Sequence, residues 1–156
     1  MKRGKPLKRT PLNRGSSQLK RSKLKYRSNK MNETYVERRA LVSEVLRRNP
    51  YCSACKIFYV YDCIKSDSAV GVCHKNRSCD LHELVNRSQG GSILDDANII
   101  AVCRQCHTRI TTNPKEAERL GLHLESWCYT DAGIAEAHRV RDCWANGLPT
   151  SPHWMR

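Results

Sequence analysis

The chain has 156 residues, enough for one compact domain with a tail and too few for two ordinary ones. A single Phe and a hydrophobic share of 39% predict a small core that needs a staple such as a metal. The formal net charge of +13 is concentrated in an arm: residues 1–30 carry 12 of the 28 Lys and Arg and none of the 15 acidic residues, so the rest of the chain is nearly neutral.

Such an arm suits phosphate backbones, through Coulomb attraction and counterion release, and points to nucleic acid as the partner. No apolar run reaches the length of a membrane span. The basic N-terminus lacks the apolar stretch of a signal peptide, so the expected location is the cytoplasm, where thiols stay reduced. In that compartment nine cysteines are read first as metal ligands.

Residues 1–32 read as disordered, with Pro, Ser, Asn and Gly among the charges. Thr34-x-x-Glu37 has the pattern of a capping box and predicts a helix whose stripe is Leu41, Val42, Val45 and Leu46, ended by Asn49-Pro50. Ile57-Phe58-Tyr59-Val60-Tyr61 predicts a strand by its β-branched and aromatic content. Further strands are expected over 81–85 and 99–102. Short helices are expected over 104–110 and 115–120, the latter stopped by Gly121, and a final helix over 131–144. Strands and helices mix without βαβ alternation, so the fold class is α+β. The expected division is a basic arm over 1–32, a central domain over 33–125, and a C-terminal helix and tail over 126–156.

Cys52-Ser53-Ala54-Cys55 and Cys103-Arg104-Gln105-Cys106 are the sharpest local signal. Two residues between thiolates let both sulfurs reach one ion from a tight turn, and two such knuckles complete a tetrahedral structural Zn²⁺ site. The 47 residues between Cys55 and Cys103 place a whole functional segment between the knuckles. Redox chemistry at a CxxC pair wants a thioredoxin-like βαβ context that is absent here. Cys63, Cys73, His74 and Cys79 are irregularly spaced and form no further CxxC pair, while Cys128 and Cys143 read as ordinary thiols.

Between the knuckles lie Asp80-Leu81-His82-Glu83, then Arg87-Ser88-Gln89-Gly90-Gly91, then Asn98, and His107 follows the second knuckle directly. From Cys52 to about Pro114 this order resembles the HNH endonucleases. The basic arm and the Asn113–Leu122 stretch are similar to small HNH proteins of bacteriophages. The resemblance implies a ββα-metal core around one catalytic divalent cation (Mg²⁺, Mn²⁺ or similar) and hydrolysis of phosphodiester bonds, with double-stranded DNA as the partner. It also implies a role in phage DNA processing or packaging beside a terminase. By position, His82 falls on the ligand place, Glu83 on the general-base place, Asn98 on the orienting Asn and His107 on the last ligand. Thr111 stands where some members carry a further His.

Two assignments follow. In one, His82 and His107 hold the ion and Glu83 takes the proton from water. In the other, His82 is the base, and His107 with Glu83 or Asp80 holds the ion. Spacing favours the first. The second is favoured by basicity, because a carboxylate beside a cation is a weak base. Arg87 and Arg104 are candidate phosphate contacts. The competing reading is a non-catalytic zinc-ribbon nucleic-acid binder.

Overall fold

A computed structural model describes residues 28–66 and 75–155. The arm up to residue 27, and Cys73 and His74, lie outside the described residues.

Helix α1 spans Asn29–Arg48. It starts five residues ahead of the expected cap because Ser28 serves as N-cap, its hydroxyl accepting from Met31 N at 3.2 Å. Thr34 is therefore interior and donates to Lys30 O at 3.1 Å, which displaces the capping-box reading. Asn29–Asn32, assigned to the arm from sequence, form the first turn. Asn49 closes the helix by donating from both its backbone and its side chain to Val45 O.

Helix α2 spans Cys55–Ser66 and replaces the strand expected over 57–61. Ile57, Phe58 and Tyr61 are its buried residues, at the i, i+1, i+4 spacing of one helical face. That face packs on α5, which spans Asp131–Ala145, with the rings of Tyr61 and Trp144 edge to face at 5.7 Å. The tertiary partner thus overrides the strand-like composition.

Strands β1 (Asp80–Glu83) and β2 (Ile99–Val102) pair antiparallel, Asp80 opposite Val102 and Glu83 opposite Ile99. The two strands and the surrounding helices bear out the α+β class. The long connection between the strands contains short 3₁₀ turns at Arg87–Gln89 and Asp96–Asn98. Helix α3 (Arg104–Thr112) follows β2 directly, and α4 (Pro114–Arg119) follows α3. Gly121 then adopts a φ of +69°, where a Cβ would also collide with the Ala137 carbonyl. Arg109 ties three helices together: it reaches both oxygens of Asp62 at 2.7 Å and Glu116 at 2.8 Å, and its guanidinium lies 4.2 Å from the Phe58 ring centre.

The main core gathers Ile57, Phe58, Leu84, Val102, Ile110 and Val140, so α5 is packed into the same core as the strand–helix unit. A smaller cluster of Val45, Ile99 and Ala101, flanked by Leu41 and Leu81, fixes α1 to the opposite side of the hairpin. Among the described residues no helix is long and apolar enough to cross a membrane.

Candidate functional site

Cys52, Cys55, Cys103 and Cys106 converge, with their sulfurs within 4.8 Å of one another. Cys55 Sγ lies 3.8 Å from Cys103 Sγ and 3.7 Å from Cys106 Sγ. A zinc–sulfur bond of about 2.3 Å in a tetrahedron places neighbouring sulfurs about 3.8 Å apart, so the cage has the size of that ion and is too wide for a disulfide. The thiols also cannot all ionise without a cation. Cys52 is pulled down to about 5, first by its hydrogen bond with Cys106 and then by the backbone N–H groups of Cys103 and Ala54. Burial pushes Cys55 up to about 12, and the hydrogen bond with ionised Cys52 pushes Cys106 up. The cluster fits structural zinc in donor type, number and spacing.

Local structure explains the convergence. Ser53 N donates to Ala101 O at 3.0 Å and Cys52 N to Asn76 O at 2.9 Å, which docks the first knuckle beside β2. Cys103 is the N-cap of α3, so the second knuckle is set by the end of β2. Cys63 sits half-buried on α2, and Cys79 is exposed just before β1. Neither joins a metal-ligand group among the described residues.

Strand alternation sorts the polar residues of β1. Asp80 and His82 face α3. Asp80 Oδ1 accepts from Arg104 Nη2 at 2.9 Å, and Asp80 Oδ2 lies 3.7 Å from His107 Nδ1. The rings of His82 and His107 meet at 5.5 Å between centres. Asp80 Oδ2 and His82 Nε2 are both buried and have no hydrogen-bond partner among the described residues. Burial drives the His82 pKa down to about 3, assisted by His107 and His123, while a hydrogen bond with the Leu122 backbone pulls it up.

Glu83 is not brought to this group. It turns to the α1 side and pairs with Arg38 at 2.7 Å, and it accepts from Arg87 N at 3.3 Å. Arg38 also donates to Ile93 O at 2.5 Å, so Glu83 is part of a tie between β1, the long loop and α1.

Asn98 is fully buried and holds that loop closed. Its Oδ1 accepts from Val85 N at 2.9 Å, and its Nδ2 donates to Val85 O and Ser92 O, each at 3.1 Å. Gly91 passes so close to the Val85 carbonyl that a Cβ there would collide with it. The Gly-Gly pair and Asn98 together shape the turn that returns the chain to β2.

A cleft of about 250 Å³ opens beside His82, walled by Asn86, Gln89, Thr111 and His123. Thr111 turns back into α3, its hydroxyl donating to Thr108 O at 2.8 Å and His107 O at 3.1 Å. His123 lies outside every motif of the sequence. It is buried, and that burial lowers its pKa. The residue is carried to the cleft by Leu122 and Leu124, both fully buried, with Leu124 N donating to Leu84 O at 2.8 Å. A Leu-His-Leu alternation is the one trace of this in the sequence. Arg104 is exposed over Asp80, and Arg87 reaches the Tyr35 hydroxyl at 3.2 Å.

A divalent cation is tested by the donors present. Asp80 Oδ2, His82 Nε2 and His107 are of the right chemistry, and the first two atoms are buried without a hydrogen-bond partner among the described residues. Their spacing is looser than a closed cage: among the described residues the four cysteines are the one group of three or more ligand atoms within 4.8 Å of one another. Comparison with family models, curated proteins and solved structures finds no match to this chain.

Proposed function

We propose that this chain is a metal-dependent endonuclease of the HNH type that hydrolyses phosphodiester bonds in DNA. One observation carries the reading: Asp80 Oδ2 and His82 Nε2 are buried without a hydrogen-bond partner among the described residues, and are grouped with His107 on one face of the β1–β2–α3 unit. Unsatisfied buried acceptors are costly, and they are tolerated where a ligand satisfies them.

Of the two assignments, the second has the better support, with Asp80 in the place that Glu83 also offered. Asp80 and His107 hold the cation. When bound, that ion offsets charge on the phosphate and on the leaving 3′ oxygen. His82 takes the proton of the attacking water at Nε2. Burial keeps the nitrogen unprotonated at working pH but leaves it a weaker base than a free carboxylate, so this assignment rests on position, with Glu83 turned away to Arg38, and not on basicity. Asn98 positions β1 against β2 without touching the reacting atoms. The test is nicking of supercoiled plasmid with Mg²⁺, Mn²⁺ or Ni²⁺. His107→Ala is expected to lose cleavage and keep its zinc; full cleavage by this variant would defeat the proposal.

The looser spacing of the donors favours a second reading, a zinc-stapled nucleic-acid binder without catalysis. That reading predicts DNA retention with no nicking in any of the three metals. A role beside a phage terminase rests on the sequence resemblance, and a pull-down against the large terminase subunit tests it.

A further inference from the structure

Away from the cleft and the four cysteines, a second cavity of about 280 Å³ lies between the C-terminal end of α1, β2 and one side of α5. Arg141 lines it and is only 8% exposed. Its guanidinium is held in place from within the protein. One nitrogen, Nη2, donates to His138 Nδ1, and His138 Nε2 in turn meets Ala97 O at 3.1 Å. These partners fix the neutral tautomer, with the proton on Nε2 and the lone pair on Nδ1 toward the arginine. His138 therefore orients Arg141 without neutralising it.

The charge of Arg141 is answered only through space, by the Asp142 carboxylate, which forms no ion pair with it. Nη1 is buried and has no hydrogen-bond partner among the described residues, and no carboxylate there forms an ion pair with it. Two acidic residues line the cavity. Asp96 is taken by both terminal nitrogens of Arg48, at 3.0 and 3.2 Å, and Asp142 stands exposed at the rim. Burial lowers the Arg141 pKa to about 10, which leaves it charged at neutral pH. An isolated buried cation is strongly disfavoured unless something pairs with it. A guanidinium held at a fixed angle with one terminal nitrogen left unpaired is suited to a tetrahedral oxyanion.

We propose that this cavity is a phosphate-binding site, in which Arg141, oriented by His138, supplies the buried cation, while Arg48 keeps the Asp96 carboxylate engaged on the cavity wall. The phosphate is either a free anion or a group of a nucleic-acid backbone. The site is separate from the cleft at His82 and does not rest on the nuclease reading.

The test is calorimetric titration of inorganic phosphate into the zinc-loaded full chain, at ionic strength held constant with chloride. One saturable site at millimolar phosphate or tighter is expected for the wild type. Arg141→Gln should raise Kd by more than about tenfold, the loss of a charge-assisted bond. Arg48→Gln should raise it less. Zinc content and circular dichroism check the fold. Should Arg141→Gln fail to fold, Arg48→Gln and His138→Phe carry the test, each with weakened binding expected. No saturable binding by the wild type, or unchanged binding in every folded variant, would overturn the proposal. Displacement of phosphate by a duplex oligonucleotide assigns the site to the backbone; failure to displace assigns it to the free anion. Saturable phosphate binding by a wild-type protein that nicks no plasmid in any of the three metals would count against the nuclease reading alone.

Discussion

Asn98→Ala removes three hydrogen bonds that no neighbouring group can replace. Val85 is fully buried, so its N–H and C=O, now 2.9 and 3.1 Å from the Asn98 side chain, are left dry and unpaired. Each such group costs about 1–3 kcal/mol. Ser92 is exposed, so its carbonyl turns to water and adds little. The expected loss is therefore about 2–6 kcal/mol, against a total of about 5–15 kcal/mol for an ordinary domain. Asn98→Asp sharpens the point: one oxygen can still accept from Val85 N, but the other faces two carbonyl oxygens. At neutral pH that variant should be at least as unstable as the alanine one. The assay is urea unfolding of the zinc-loaded protein, followed by tryptophan fluorescence, since Trp144 is buried. A loss below about 1 kcal/mol for Asn98→Ala, with an unchanged urea dependence, would refute the claim that this side chain holds the loop.

Three further outcomes are expected. Cys103→Ser, or a strong chelator, should remove one zinc per chain and unfold the protein; elemental analysis and circular dichroism would show both together. Asp80→Asn should raise the metal concentration needed for nicking, whereas Glu83→Gln should leave that requirement unchanged and lower stability through the lost Arg38 pair, as metal titrations of the plasmid assay and urea unfolding would show. Stability should also fall with acid. His82 has its pKa depressed in the fold, so its contribution is complete above about pH 6.5 and is lost as pH falls toward 3. At pH 5 this amounts to about 2 kcal/mol. The loss of stability between pH 7 and 5 should be smaller for His82→Gln than for the wild type by about that amount, with the buried His123 and His138 accounting for part of what remains.

What could be read from the sequence follows the range of the interactions. The two CxxC pairs are local signals, and four donors of one kind at fixed spacing need one ion wherever the chain brings them. β2, α3 and α5 lie within a residue or two of the spans their sequence predicts, because the residues that start and stop them sit beside them in the chain. α2 does not, since a run such as Ile57–Tyr61 has strand composition and its helical face shows only against Trp144. Glu83 was placed beside His82 because the two are adjacent in sequence. In a strand, adjacency means opposite faces, and the register with Ile99 sends Glu83 to Arg38. His123 and Arg141 come from segments far along the chain, and only the packing of 122–124 and α5 against the hairpin reveals them.

Two helices begin at the four-cysteine cluster: α2 starts with Cys55, and α3 is capped by Cys103 and has Cys106 in its first turn. Four thiolates around one Zn²⁺ leave a formal charge of about −2, and each helix start presents roughly half a positive charge. The macrodipoles thus balance much of the anionic excess without a Lys or Arg side chain in the coordination shell. Metal should accordingly be retained to a lower pH here than in a tetrathiolate knuckle built from loops alone, and acid should strip the ion and melt both helices in a single step.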